Sequence, residues 1–178
     1  MSDVTQGVAA PAVSDLEDIP EVLVSACLLG TPCRFDGRSK PCDLAIALRE
    51  RFRVVPICPE LAAGLPIPRT PSERDMVAGS GRVVSSEGED RTEAFAAGVR
   101  ATVHVAQRHR AQVAVLKAKS PACGVGQVYD GTFSGTLVPG DGVATEALRD
   151  LGIRCVTEQE LQAMGLDAFS VLVEGWVE

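Results

Sequence analysis

Aromatic residues are scarce in this chain: one Trp, one Tyr and five Phe make up 4% of its 178 residues. That is too few for a surface that binds nucleic acid by stacking successive bases on rings. Histidine is scarcer still, with only His104 and His109. Both fall on one expected helix, so they read as surface or packing residues. Close C-x-x-C pairs are missing, which argues against a structural zinc site. No apolar run approaches the roughly 20 residues that span a bilayer. The start lacks a basic region followed by a long apolar stretch, so no secretory signal is expected. These absences together lead us to expect a soluble, cytoplasmic protein with neither membrane partner nor stable nucleic-acid complex.

What is present suits one ordinary domain. Hydrophobic residues are 46% of the chain, enough for a core built from Val, Leu, Ile and Ala. The formal charge of -7 is concentrated at the start, where Asp3, Asp15, Glu17, Asp18 and Glu21 face no Lys or Arg. Residues 1–20 are small, polar and Pro-punctuated and read as a disordered tail. Six cysteines without a secretory signal argue against a disulfide framework, because the cytosol keeps thiols reduced.

Residues 21–165 read as an α/β unit: a single Rossmann-like domain with a short, mainly parallel sheet flanked by helices. VLVSACLL is a continuous, β-branched apolar run, as in a strand buried on both faces. A Pro- and Gly-rich loop follows, and Asp43 opens a helix with Leu44, Ala47, Leu48 and Phe52 at helical spacing. RVVPIC is a second strand. Residues 62–75 are too broken for a regular element, and a short strand pair is expected around Met76–Val84. DRTEAFAAGVRATVHVAQRH forms the clearest helix, with Phe95, Val99, Val103 and Ala106 on one stripe. AQVAVLK and IRCV complete the strands, separated by a turn-rich segment and a helix near 144–151. Thr157 and Glu160 are spaced as a capping box for a last helix over TEQELQAMG. Alternating strands and helices imply parallel pairing. Residues 166–178 form an apolar extension, read as an edge strand or a pairing surface for a second copy.

Three of the four strands end in a cysteine or run straight into one, at Cys27, Cys58 and Cys123. In open parallel sheets, ligands bind beyond the carboxyl ends of the strands. The three thiols are therefore expected to converge as ligands, with soft metals or an iron–sulfur cluster as candidates. Cys155, inside a strand, reads as a small buried hydrophobe. Cys33 and Cys42 lie in a loop and are the less favoured candidates, each as an alternative ligand, a reserve fourth ligand or a thiol that captures oxidised sulfur. The three lysines, Lys40, Lys117 and Lys119, all flank cysteine segments, and Arg34, Arg38, Arg69 and Arg74 lie in the same loops. Such a concentration in an acidic chain suits an anion, either the cluster or a phosphate. Arg34, Lys40, Arg69, Lys117 and Lys119 are the candidate substrate-binding residues. For Glu60 two readings stand, a group that handles the proton of a water and a carboxylate at a helix N-terminus. Ser120 has two as well, a hydrogen bond to a ligand and a turn hydroxyl before Pro121.

The blocks SACLLG-x-x-CRFDG, CPE-x-x-x-GLP-x-PR and KSP-x-CG resemble a family long catalogued as a domain of unknown function, some of whose members are thiouracil desulfidases. The resemblance spans roughly residues 21–160. It implies a Rossmann-like domain with a [4Fe–4S] cluster on three cysteines, here Cys27, Cys58 and Cys123. The fourth iron would be left free to take the sulfur of a thiolated pyrimidine. It also implies catalytic roles for Glu60 and Ser120. Phe35 departs from the family pattern, which often has Tyr there. The expected function is hydrolysis of a C=S group to C=O with release of sulfide, without redox change. The substrate would be a small thiolated base, nucleoside or nucleotide, and a homodimer is an open possibility. The competing reading is a non-catalytic protein that uses the same thiolates to bind metal or sense redox state.

Overall fold

A computed structural model describes residues 19–177. The expected N-terminal tail therefore lies, except for Ile19 and Pro20, outside the described residues. Four strands, β1 (Glu21–Ser25), β2 (Arg53–Ile57), β5 (Val113–Leu116) and β8 (Arg154–Thr157), form one sheet in the order β2-β1-β5-β8. Every pairing in it is parallel. Val22, Leu23 and Val24 are all fully buried, because helices cover both faces. Val22 and Val24 pack with Val113, Val115 and Val156 on one side, whereas Leu23 packs with Ala114 and Leu116 on the other. The first side is closed by α1 (Asp43–Ala47) and α5 (Glu158–Val177), the second by α3 (Thr92–Arg108) and α4 (Val143–Asp150).

The run VLVSACLL does not remain a strand throughout. Ser25 pairs with Ile57, the last residue of β2, and the ladder between the two strands ends there. The chain instead turns into a 3-10 helix, Ala26–Leu29, ended by Gly30 at φ 97. The expected strand pair begins earlier than Met76: β3 (Ser72–Arg74) and β4 (Val83–Ser85) are antiparallel. A second hairpin, β6 (Gln127–Tyr129) with β7 (Leu137–Pro139), occupies the segment read only as turn-rich.

On α3 the buried positions are Phe95, Gly98, Thr102 and Ala106. Val99 and Val103, expected on the buried stripe, are only half-buried. The stripe is rotated because Gly98 is a contact point. A Cβ there would lie 2.1 Å from the Pro59 carbonyl oxygen, so only glycine lets α2 (Pro59–Ala62) rest on α3.

The capping box forms as expected: the Glu160 N–H donates to Thr157 Oγ1 at 3.0 Å and the Thr157 N–H donates to Glu160 Oε2 at 2.7 Å. The C-terminal stretch, by contrast, is not an edge strand. α5 continues past a break at Gly165 as a second helical segment. Its Phe169 is fully buried and meets Phe52 edge-on, with ring centroids 5.8 Å apart. Leu166, Phe169 and Val173 recur at helical spacing and fill one side of the core. Among the described residues, no helix is long and apolar enough to cross a membrane.

A candidate metal centre at the carboxyl ends of the strands

The chain leaves β1 towards β2 on one side and returns to build β5 and β8 on the other, so its direction of winding reverses between β1 and β5. Such a switch point opens a crevice beyond the strand ends. A cavity of about 480 Å³ sits there, and Cys27, Cys58 and Cys123 all line it. Each thiol follows one of three adjacent strands. Cys27 lies in the 3-10 turn after β1, Cys58 caps α2 directly after β2, and Cys123 lies in the turn beyond β5. Strands spaced about 4.8 Å apart bring such positions together despite their distance in sequence.

A fourth thiol joins them. Cys33, placed by sequence in a loop away from the strand ends, is buried, lines the same cavity, and makes side-chain hydrogen bonds with both Cys27 and Cys58. The readable signal was the spacing of Cys33 six residues after Cys27, with Gly30 between them to turn the chain back. Cys42 is buried at the cap of α1 and does not line the cavity. Cys155 is buried within β8, and its thiol donates to the Ile153 carbonyl.

Three of the cavity thiols, Cys33, Cys58 and Cys123, resist ionisation. The hydrogen bond with Cys27, followed by burial, pushes Cys33 up to about 11. Cys58 is raised by its bond with Cys33 and by burial. Burial pushes Cys123 up to about 12, opposed by a hydrogen bond from the Ser25 hydroxyl. Ser25 is itself buried at the end of β1, and its oxygen accepts the Lys117 N–H at 3.0 Å. It is a residue that sequence reasoning missed, since a serine inside an apolar run carries no motif.

Glu60 lines the cavity from the first turn of α2. Its Oε2 accepts from Arg69 at 2.7 Å. Arg69, expected to bind substrate, lines the same cavity, with its guanidinium taken up by protein acceptors. Its side chain is 2% exposed, and its other nitrogens donate to the carbonyls of Pro66 at 3.1 Å and Cys33 at 3.0 Å. Each guanidinium nitrogen therefore has an internal acceptor, which makes Arg69 the holder of Glu60.

Lys117 is similarly committed, with its ammonium on Glu158 and on the Ala118 carbonyl. Glu158 also accepts the Ala118 N–H at 2.7 Å. Arg34 pairs with Asp36 at 3.3 Å and lies over the Phe35 ring, 5.5 Å from its centroid. Lys40 and Lys119 line the cavity without an ion pair among the described residues. Arg38 and Arg74 do not line it, and Arg74 pairs with Glu146. Ser120 Oγ accepts the N–H groups of Ala122 and Cys123, each at 3.1 Å. The turn reading of Ser120 thus holds, yet its own proton is left to donate elsewhere.

His109 bonds Glu21 at the amino end of β1, the end of the sheet opposite to the thiols. The cavity is lined by four thiols beside the carboxylates of Glu60 and Glu73, with no imidazole. Among the described residues no three or more His, Cys, Asp or Glu side chains are grouped to hold a single metal ion. Soft thiols spread around a cavity fit an iron–sulfur cluster, whose positive irons would favour the thiolate forms that bind them.

Comparison with known proteins agrees with this donor chemistry. The chain is similar to an uncharacterized protein, YbbK, from Bacillus subtilis (strain 168), at 37% identity over 146 residues, 79% of this chain and 97% of that protein. It is also similar to the solved structure of a [4Fe–4S]-dependent thiouracil desulfidase, TudS. That match has a TM-score of 0.76 and 36% identity, and it covers 86% of this chain and 99% of the other. Residues 22–160 match the family model described as 2-thiouracil desulfurase, and the chain belongs to that family.

Proposed function

We propose that this protein is an iron–sulfur-dependent desulfidase acting on a thiolated pyrimidine, as base, nucleoside or nucleotide. The net reaction converts C=S and water into C=O and hydrogen sulfide, so no electrons are gained or lost. The observation that carries this reading is the meeting of strand-end thiols with Glu60 and Ser120 in one cavity. Holding a cluster needs only the thiols; the added carboxylate and hydroxyl suit proton handling.

Cys27, Cys58 and Cys123 would hold the cluster. When bound, it supplies a Lewis-acidic, sulfur-seeking iron without a protein ligand. Glu60 accepts a proton from the attacking water, and Arg69 fixes which way its carboxylate points. Ser120 uses its oxygen to accept two backbone N–H groups, which aims its remaining proton at a substrate acceptor. Lys40 and Lys119, both without ion pairs among the described residues, suit a substrate's anionic group.

Anaerobic reconstitution followed by a sulfide assay tests this. The expected result is a brown protein with about four irons per chain that releases sulfide from thiouracil or its nucleotides. Glu60→Gln should keep the cluster and lose the release. A loaded protein that is inert on thiolated base, nucleoside and nucleotide alike would overturn the reading in favour of a metal- or redox-sensing protein.

A further inference from the structure

The proposed reaction uses one carboxylate, Glu60, but the cavity has a second, Glu73. Glu73 is the middle residue of β3 and is 8% exposed. Its Oε2 accepts the N–H groups of Gly131 and Phe133, each at 3.0 Å, and so holds the turn between β6 and β7 against β3. The chains pass closely there: a Cβ on Gly131 would lie 2.6 Å from the Arg74 carbonyl oxygen. Tyr129, the last residue of β6, lines the cavity from the same hairpin. That anchoring takes only one carboxylate oxygen. The other, Oε1, has no hydrogen bond or ion pair among the described residues, although Glu73 is buried. It is not sealed inside the protein as the unpartnered Arg74 Nε and Thr145 Oγ1 are, so it opens on the space that Glu73 borders, which is the cavity.

We propose that Glu73 is a specificity-determining residue: its Oε1 accepts the ring N3–H of the pyrimidine and so selects thiouracil over thiocytosine. This rests on the desulfidase reading above and adds which ring the site admits. A carboxylate can only accept hydrogen bonds. In thiouracil, its nucleoside and its nucleotide alike, N3 carries a hydrogen, because the sugar is attached at N1. In thiocytosine N3 carries a lone pair instead. Set against Oε1, that lone pair would bring two acceptors face to face, and a site built for a donor strongly rejects a ligand without one. The two backbone N–H groups also fix which way the carboxylate is turned, so the acceptor is in place before substrate arrives.

The test reads kcat/KM for sulfide release by the anaerobically reconstituted full chain. Substrates are 2-thiouracil and 2-thiocytosine, each as free base and as nucleoside 5′-monophosphate. The unaltered protein should favour thiouracil by about 10–100-fold, the scale of a hydrogen bond to a charged group. Glu73→Gln should abolish or reverse that preference. Its amide oxygen is needed by the two backbone N–H groups, which turns the NH2 towards the cavity and puts a donor where the acceptor was. A purely structural role for Glu73 would lower both rates together and leave their ratio alone. A second comparison needs no variant. The 5-methyl derivative of 2-thiouracil keeps N3–H and the 3-methyl derivative lacks it, so unaltered protein should favour the former by about 10–100-fold.

Equal efficiency on the two methyl derivatives would overturn the role of Glu73 and leave the desulfidase reading intact. So would a preference for thiouracil that Glu73→Gln leaves unchanged. Loaded, unaltered protein that releases sulfide from none of these compounds, bases and nucleotides alike, would fail the desulfidase reading and this inference with it.

Discussion

The Arg69 guanidinium and the Glu60 carboxylate meet at 2.7 Å, nine residues apart in sequence, and the same guanidinium bonds the backbone of Cys33. One buried side chain thus ties the carboxylate of α2 to the loop that carries the fourth thiol. Lysine cannot copy this, because a single ammonium does not span three acceptors arranged for a planar fork. Arg69→Lys should lower sulfide-release kcat/KM by roughly 10–100-fold, the usual cost of losing an outer partner of a site. Circular dichroism should show the fold retained. Unchanged kcat/KM would mean that Glu60 needs no holder.

Ser25 is predicted to matter through Cys123. Ser25→Ala removes the donor to the Cys123 sulfur and strips the Lys117 N–H of its acceptor. Leaving a buried donor unpaired costs about 1–3 kcal/mol, so the urea midpoint should fall. The reduction potential of the loaded cluster should also become more negative, since a hydrogen bond to a ligand sulfur favours the more negative reduced state. Potentiometric titration of both proteins reads that shift.

Two glycines on helices should respond in opposite ways to alanine. At Gly98 the new Cβ meets the Pro59 carbonyl, so α2 must move off α3, taking Cys58 and Glu60 with it. A loss of about 1–3 kcal/mol is expected, together with reduced iron content. At Gly175 nothing lies within 4 Å, and alanine should be neutral or stabilise by up to about 1 kcal/mol. Thermal denaturation with iron counts distinguishes the two.

Cluster-free protein should lose stability in alkaline solution. The ordinary thiol value is 9.0, and in the fold Cys33 stands at about 11 and Cys123 at about 12, with Cys58 raised as well. Between those values the unfolded chain releases protons that the folded chain retains, so stability falls as pH rises above 9 and levels off once the folded thiols ionise. Urea midpoints measured from pH 7 to pH 11 should be flat at first and then decline. Replacing Cys33 by Ala should shallow the decline.

Much of the architecture could be read from residue order. The β-branched runs, the helix from residue 92 and the Thr157–Glu160 capping box all express local preferences, and all appear in the structure. The C-terminal stretch was misread because its helical period, Leu166, Phe169 and Val173, acquires meaning only against Phe52, more than a hundred residues away. Val99 and Val103 show the same limit. Apolar spacing marks a face, but the Gly98–Pro59 contact sets its rotation.

At the site, strand-end placement by itself determined that Cys27, Cys58 and Cys123 would gather, because a parallel sheet delivers its carboxyl ends to one edge. Only the tertiary structure decided the rest. It brought in Cys33 through the turn at Gly30, placed Ser25 against Cys123, and set the guanidinium of the cavity-lining Arg69 on Glu60. The physical reason is that a strand's direction is a local property. Which donor meets which acceptor inside a cavity depends on loops folding back over it, and those contacts leave no periodic trace in the chain.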